Sequence, residues 1–245
     1  MVLVYRPVVP KPGLGNLLQN LCCAKLNGTK YVHKDILDYE FGNCFTINEF
    51  NVVDFDGEQP YCPGFINQYF HTNVWPLCKT LVTPTPHLLD LVNRHIHLLE
   101  GVVIGVNIRR GAYSADSTQF PGATDRKFFH CSDSGLNKFL KEIEEAPGRV
   151  YVSSDSPSTK QLIKDKFGSK VSMVDTKYVH TAEQTDPSAQ TTKNLQDVYV
   201  VWLLLSMCPK ILVTGGTTDL VGFSTFGYMA AHYGSKPCTI IFNED

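Results

Sequence analysis

Gly101-Val-Val-Ile-Gly-Val-Asn-Ile-Arg-Arg-Gly-Ala-Tyr113 is the stretch that decides the fold. Its apolar, mostly β-branched run reads as a strand buried on both faces, the kind a parallel sheet holds. The run stops abruptly at Arg109, Arg110 and Gly111. In an open α/β sheet, ligands sit at the carboxyl ends of the strands. A guanidinium placed there offers a planar pair of donors suited to a phosphate or diphosphate. From these residues alone, a plain strand end whose arginines pair with surface carboxylates reads equally well.

The chain beyond this strand alternates regularly. Helical periodicity over Ser134–Glu145 is followed by a strand at Arg149–Ser153, a helix at Ser158–Phe167 and a strand at Lys170–Val174. A long helix over Thr191–Met207, a strand at Lys210–Thr214, a helix at Ser224–His232 and a last strand at Cys238–Phe242 complete it. Strand and helix in strict turn predict βαβ units and a parallel sheet. The polar segment Lys177–Ala189 lacks an apolar period and reads as a loop over the site. Before Gly101 the pattern is less regular. Val2–Val9 reads as a strand, Pro10–Gly15 as a turn and Asn16–Lys25 as a helix. Tyr31–Val32 and Asn51–Phe55 are short strand candidates, and Pro84–Leu99 a helix with Leu88, Leu91, Val92, Ile96 and Leu99 on one face. The expected architecture is α/β: two Rossmann-like lobes, residues 1–100 and 101–245, with parallel sheets and a cleft between them.

Composition narrows the function classes. With 43% hydrophobic and 19% charged residues, the 245-residue chain matches a folded globular protein rather than a disordered one. A net charge of -2 provides no general electrostatic reason for nucleic acid or an anionic membrane as partner. The longest apolar run, Val198–Cys208, is too short to span a bilayer, and Met1–Arg6 does not resemble a secretory signal. The 8 cysteines, without a Cys-x-x-Cys pair, read as reduced and mostly buried thiols of a cytoplasmic, soluble protein. Asn27-Gly-Thr29 is then a turn rather than a glycosylation acceptor.

Further segments converge on the expected cleft. In Gly215-Gly-Thr-Thr-Asp-Leu-Val-Gly-Phe-Ser-Thr-Phe-Gly-Tyr228 a strand runs through a glycine-rich loop into a helix that Ser224 and Thr225 begin. Helix N-terminal amides and hydroxyls hold anions, although a plain N-cap is the commoner use of such residues. Ser153-Ser-Asp-Ser156 places Asp155 at a strand end, where a carboxylate accepts from a ribose hydroxyl or a base N–H, or else caps the helix after Pro157. Pro12-Gly-Leu-Gly-Asn16 lies at the first strand-to-helix turn but lacks the third glycine of a dinucleotide fingerprint. Past the arginines, in the stretch with Tyr113, Asp116 and Asp125, a carboxylate near the diphosphate could act as general base, with Asp116 the candidate. Asp54-Phe-Asp56 has the Asp-x-Asp form that holds a divalent ion on a diphosphate, yet it precedes a glycine outside the regular half and reads as a turn. His95 and His97 fall on different faces of their helix, which disfavours zinc.

Taken in order, Gly13-Leu-Gly-Asn16, Ile108-Arg-Arg-Gly111 and Ser224-Thr-Phe-Gly-Tyr228 resemble the motifs of fucosyltransferases. The first two are similar to bacterial and animal α-1,2 enzymes, the third, with Lys236-Pro237, to plant cell-wall enzymes. Phe65–Phe70 and Tyr151–Asp155 fall where those families carry an aromatic segment and a strand ending in Ser-Asp. The resemblance implies a GT-B arrangement and an inverting, metal-independent transfer to a glycan hydroxyl, with no cofactor beyond a nucleotide-sugar donor. By motif position it implies that Arg109 clamps the donor diphosphate and Arg110 buttresses the site. Ser224, Thr225 and Phe226 would line the phosphate and sugar, and Asn16 would face the transferred sugar or the acceptor. Asn107 stands where the family usually has His, and Ala112 where many members have Asp. Counting back from Leu205-Ser206, Val201 occupies the place of the purine-reading acid, with Asp197 a turn away. GDP-fucose and a UDP-sugar such as UDP-xylose are therefore both expected donors. A bacterial or viral enzyme is the expected source. Alternatives are a non-catalytic module binding a sugar nucleotide or glycan, and a metal-dependent GT-A-type transferase using Asp54 and Asp56.

Overall fold

The computed structural model describes residues 2–7, 13–60, 75–110, 130–176, 191–216 and 223–244. Tyr113, Asp116, Asp125, the aromatic segment Phe65–Phe70, the loop Lys177–Ala189 and the turn at Pro10–Pro12 lie outside them.

The stretch that opened the sequence reading forms β6 (Val102–Ile108), the central strand of a sheet with β7 (Arg149–Ser154), β8 (Val171–Ser172), β9 (Ile211–Thr214) and β10 (Cys238–Ile241). Every pairing in it is parallel, in the spatial order β10-β9-β6-β7-β8. Strand order therefore reverses between β6 and β9, and a crevice opens at the carboxyl ends of that pair. Side chains alternate across the sheet as the two-residue period demands. Tyr151, Ile211 and Val213 join one buried cluster with Trp202, Leu204 and Met229. Val106, Val150, Val152 and Leu212 join another with Phe139 and Ile163. Helices thus cover both faces.

Each covering helix has a local cause. Ser132 caps α5 (Asp133–Glu145) by accepting from Gly135 N, and Leu136, Phe139 and Ile143 form its buried stripe. Ser156 caps α6 (Pro157–Phe167), whose first position is the proline. Thr191 caps α7 (Thr192–Met207), which is buried without interruption from Val198 to Ser206. That all-round burial follows from its packing against the sheet, α4 (Pro86–Asn93) and α8 (Thr225–Gly234).

The first hundred residues build two smaller sheets. β1 (Val4–Tyr5), β2 (Tyr31–His33) and β4 (Asn51–Val53) are parallel, in the order β1-β2-β4. The antiparallel pair of β3 (Phe45–Ile47) and β5 (Val82–Pro84) has no counterpart in the sequence reading, since three-residue strands carry almost no period. The helices here are α1 (Leu14–Leu26), α2 (Phe41–Cys44), α3 (Cys78–Leu81) and α4 (Pro86–Asn93). The expected helix Pro84–Leu99 is corrected: it breaks after α4, and Ile96–Leu99 continue as a 3-10 turn with Ile96 exposed. The chain must reverse into β6 through Gly101 at φ +69°, which a continued α-helix would prevent. Likewise, the strand expected at Val2–Val9 is confined to β1 among its described residues. The larger core runs from Leu17, Leu18 and Phe45 of the first hundred residues to Trp202 and Met229. Among the described residues, no helix is long and apolar enough to cross a membrane, and seven cysteines are free thiols.

Candidate functional site

The register of the five-stranded sheet assembles the site. Ile108 pairs with Ser154 and Asn107 with Val213, so Arg109 leaves β6 between Asp155 on one side and Thr214 on the other. Thr214, fully buried, organises this end of the sheet. Its hydroxyl donates to the Asn107 carbonyl at 3.0 Å and accepts from the Arg109 amide at 2.9 Å. Its carbonyl accepts from the Ser224 amide at 2.8 Å. One residue thus fixes the start of the arginine pair against the start of α8. The sequence reading passed over it, although a hydroxyl closing the run Ile211-Leu-Val-Thr214 was the signal.

The two arginines divide their work. The Arg110 guanidinium is buried and turns away toward α5, donating to the Ser132 carbonyl at 3.3 Å and to Asp133 Oδ1 at 2.6 Å. Arg109 keeps its side chain 14% exposed, with Nη1 3.9 Å from Asp155 Oδ2. That separation is an ion pair without a hydrogen bond. Asp155 lies beneath both arginines: Oδ1 accepts from the Arg110 amide at 2.7 Å, and Oδ2 is buried without a hydrogen-bond partner. The N-cap of α6 is Ser156, so the capping alternative for Asp155 is not realised.

Thr214 also ties the N-terminus of α8 to the main chain at Arg109. Ser224 occupies its N-cap without forming a side-chain cap, unlike Ser132, Ser156 and Thr191 at α5, α6 and α7. The Thr225 hydroxyl instead donates to Asn16 Oδ1 at 2.6 Å. The N-termini of α1 and α8 therefore meet, and a Cβ on Gly15 would lie only 2.6 Å from Phe226 N. This close approach is what Gly13-Leu-Gly-Asn16 accomplishes, and no side chain caps α1 either. Two helix dipoles then direct positive ends into the same crevice. Phe226 is buried and accepts from Trp202 Nε1 at 3.1 Å through its carbonyl. Asn107 sits behind, its Nδ2 donating to Ser153 Oγ at 3.4 Å and its side chain so close that a Cβ on Gly227 would lie 2.7 Å away. The structure brings together Asn16, Asn107, Arg109, Arg110, Asp155, Ser224, Thr225 and Phe226; Asp116 lies outside the described residues.

The Asp54/Asp56 pair is used differently. Asp56 pairs with Arg6 at 2.6 Å and Asp54 with Lys34 at 3.8 Å, both largely exposed. Among the described residues, no three His, Cys, Asp or Glu side chains group to hold a metal ion. Val201, in the place of the purine-reading acid, is buried in α7, and Asp197 pairs with Lys193 at 3.2 Å.

No protein-family model matches the sequence, and no curated protein matches it. Solved structures do. NodZ α-1,6-fucosyltransferase co-crystallised with GDP superposes with a TM-score of 0.58 at 13% identity, covering 94% of this chain and 91% of that one. Fucosyltransferase NodZ from Bradyrhizobium has a TM-score of 0.56 at 14% identity over 94% and 91% of the two chains. A point mutant of Arabidopsis thaliana FUT1 in complex with GDP has a TM-score of 0.59 at 14% identity, over 100% of this chain and 71% of that one. At such identities the likeness is one of fold: the chain has the α/β fold of these fucosyltransferases.

Proposed function

We propose that the chain is a glycosyltransferase of the fucosyltransferase type, drawing its sugar from a nucleoside diphosphate donor. The observation that carries this reading is the crevice where strand order reverses. There the main chain of Arg109 and the α8 N-terminus, its Ser224 hydroxyl unused as a cap, are held in one frame by Thr214. Such a pair suits a diphosphate, and NodZ and FUT1, which share the fold, were crystallised with GDP. Free thiols are in keeping with a cytoplasmic setting.

In this proposal the diphosphate lies between Arg109 and the first turn of α8. Breaking the sugar–phosphate bond leaves negative charge on the departing phosphate. Arg109, the Ser224 hydroxyl and the helix dipole stabilise it, while the Thr225 hydroxyl is engaged with Asn16. The mechanism then needs no metal ion. Arg110 keeps Arg109 in position through the backbone. The acceptor hydroxyl attacks the anomeric carbon from the face opposite the diphosphate, inverting it, while a carboxylate, for which Asp116 is our candidate, takes its proton.

GDP-fucose is the first donor to test because a NodZ crystal was soaked with it. Burial of Val201 in α7 favours a second reading, a UDP-sugar, since no carboxylate stands at that place to read guanine. The experiment is calorimetric titration and thermal shift with GDP, UDP, GDP-fucose and UDP-xylose, each with and without EDTA. A ligand that binds the native state raises its melting temperature. The expected result is a rise with one class of nucleoside diphosphate that EDTA does not abolish. No shift with any of the four would overturn the proposal, and a shift abolished by EDTA would overturn its metal independence.

A further inference from the structure

Beyond the last strand, β10, a single buried residue contacts both walls of the crevice. Asn243 accepts from the Ser132 amide through Oδ1 at 3.0 Å and donates through Nδ2 to the His130 carbonyl at 2.8 Å. Its own amide donates to the Gly216 carbonyl at 3.0 Å, in the turn leaving β9. The side chain therefore pairs with residues 130 and 132 as a neighbouring strand would, using one donor and one acceptor.

Both ends of this bridge lead to the site. The 130–133 segment is what holds the arginine pair from behind. Cys131 N donates to the Arg109 carbonyl at 2.7 Å, His130 Nδ1 lies 3.3 Å from the Arg110 carbonyl, and the Arg110 guanidinium binds Ser132 and Asp133. At the other end, Gly216 follows Gly215, which bridges to Phe223 just before Ser224. Gly135 leaves the space that Asn243 needs, since a Cβ there would run into Asn243 Oδ1.

We propose that Asn243 is a positioning residue for the diphosphate site, setting the separation between the arginine pair and the loop that leads to α8. The inference rests on the proposed diphosphate reading. A carboxamide is the group that the geometry requires. A carboxylate in its place would turn an acceptor toward the His130 carbonyl, and alanine would leave the Ser132 amide and the His130 carbonyl buried without these partners.

The test compares Asn243→Asp, Asn243→Ala and Lys138→Met with wild type. Lys138 holds the same tail, through the Phe242 carbonyl at 2.9 Å and Glu244 at 3.0 Å, without touching residues 130–132 or Gly216. Titration with GDP and UDP gives affinity, and amide hydrogen exchange reads Cys131 and Ser132. Both Asn243 variants are expected to lose about tenfold or more in nucleoside diphosphate affinity, with faster exchange at Ser132, while Lys138→Met binds as wild type. Wild-type affinity in a folded Asn243 variant, or an equal loss in Lys138→Met, overturns the proposal. So does rapid exchange at Ser132 in folded wild type, a readout that stands if the variants fail to fold. Should wild type bind neither nucleotide, the diphosphate reading fails, and the positioning role in that site fails with it. The exchange data then show separately whether Asn243 holds the segment.

Discussion

Two helices of the same sheet begin in different ways. At α6, Ser156 Oγ accepts from Thr159 N at 3.2 Å and pairs with Ser158 at 3.0 Å, and Pro157 fills the first position. At that terminus the hydroxyl serves the helix itself. At α8, Ser224 forms no side-chain cap, Thr225 reaches across to Asn16, and Arg109 stands on the facing strand. The residues at the two N-caps are the same; their surroundings differ. The α6 start closes on itself, whereas the α8 start forms no side-chain cap and is tied to α1 and β9 instead.

The largest effect should come from the cation facing α8. Arg109→Ala is expected to cut transfer by about two to three orders of magnitude, as loss of a preorganised donor to a developing oxyanion does. The main-chain bonds of Arg109 to Thr214 and Cys131 do not depend on its side chain, so the fold should persist by circular dichroism. Near-normal turnover in the folded variant would remove α8 from the role given to it here.

A crossed pair of substitutions sharpens the contrast directly. Ser156→Ala should cost about 1 kcal/mol of stability, the usual worth of an N-cap, with nucleotide affinity unchanged. Ser224→Ala should show the opposite pattern: weaker nucleotide affinity with a smaller loss of stability. Denaturant melts and calorimetric titration of both variants decide it. Equal stability losses at the two sites would show Ser224 to be an ordinary cap.

The smallest effect concerns the aromatic support of α8. Tyr228 packs tilted against Phe223 with centroids 4.3 Å apart, and His232 packs edge-on against Tyr228 at 4.5 Å. Burial holds the His232 imidazole below its usual range. The folded state therefore takes up this proton less readily than the unfolded chain, which titrates near pH ~6.5. The stability that neutral His232 contributes is complete above about that pH and declines as pH falls below it toward the folded value. Melting temperatures between about pH 7 and pH 5 should fall less steeply in His232→Gln than in wild type. An unchanged slope would place the acid sensitivity elsewhere.

Much of this molecule was legible in the chain. The run Val102–Ile108 is apolar at nearly every position, and only a strand covered on both faces tolerates that. Its alternation with α5, α6, α7 and α8 made the parallel sheet readable, because helical and strand periods each repeat often enough to register. Arg109, Ser224, Thr225 and Asn16 were singled out because they stand at strand ends and strand-to-helix turns, where ligands sit in such sheets. The pairing of β3 with β5 was not legible, because three-residue strands are set by what packs on them. The break after α4 was not either, because the apolar spacing continues past the point where the chain must turn.

What tertiary structure alone decided is how the polar groups share partners. The sequence by itself determined that Asp155 ends a strand and that two arginines leave β6. Only the resemblance implied a division of roles between them; nothing in the spacing or periodicity showed that Arg110 binds α5 or that the Asp155 carboxylate lies beneath both. Nor did the sequence single out Thr214 and Asn243, which join residues about a hundred positions apart in the chain. A hydrophobic period is a property of neighbours along the chain, so it survives in the sequence. A hydrogen bond between distant segments exists only once the sheet order and register have brought donor and acceptor within about 3 Å.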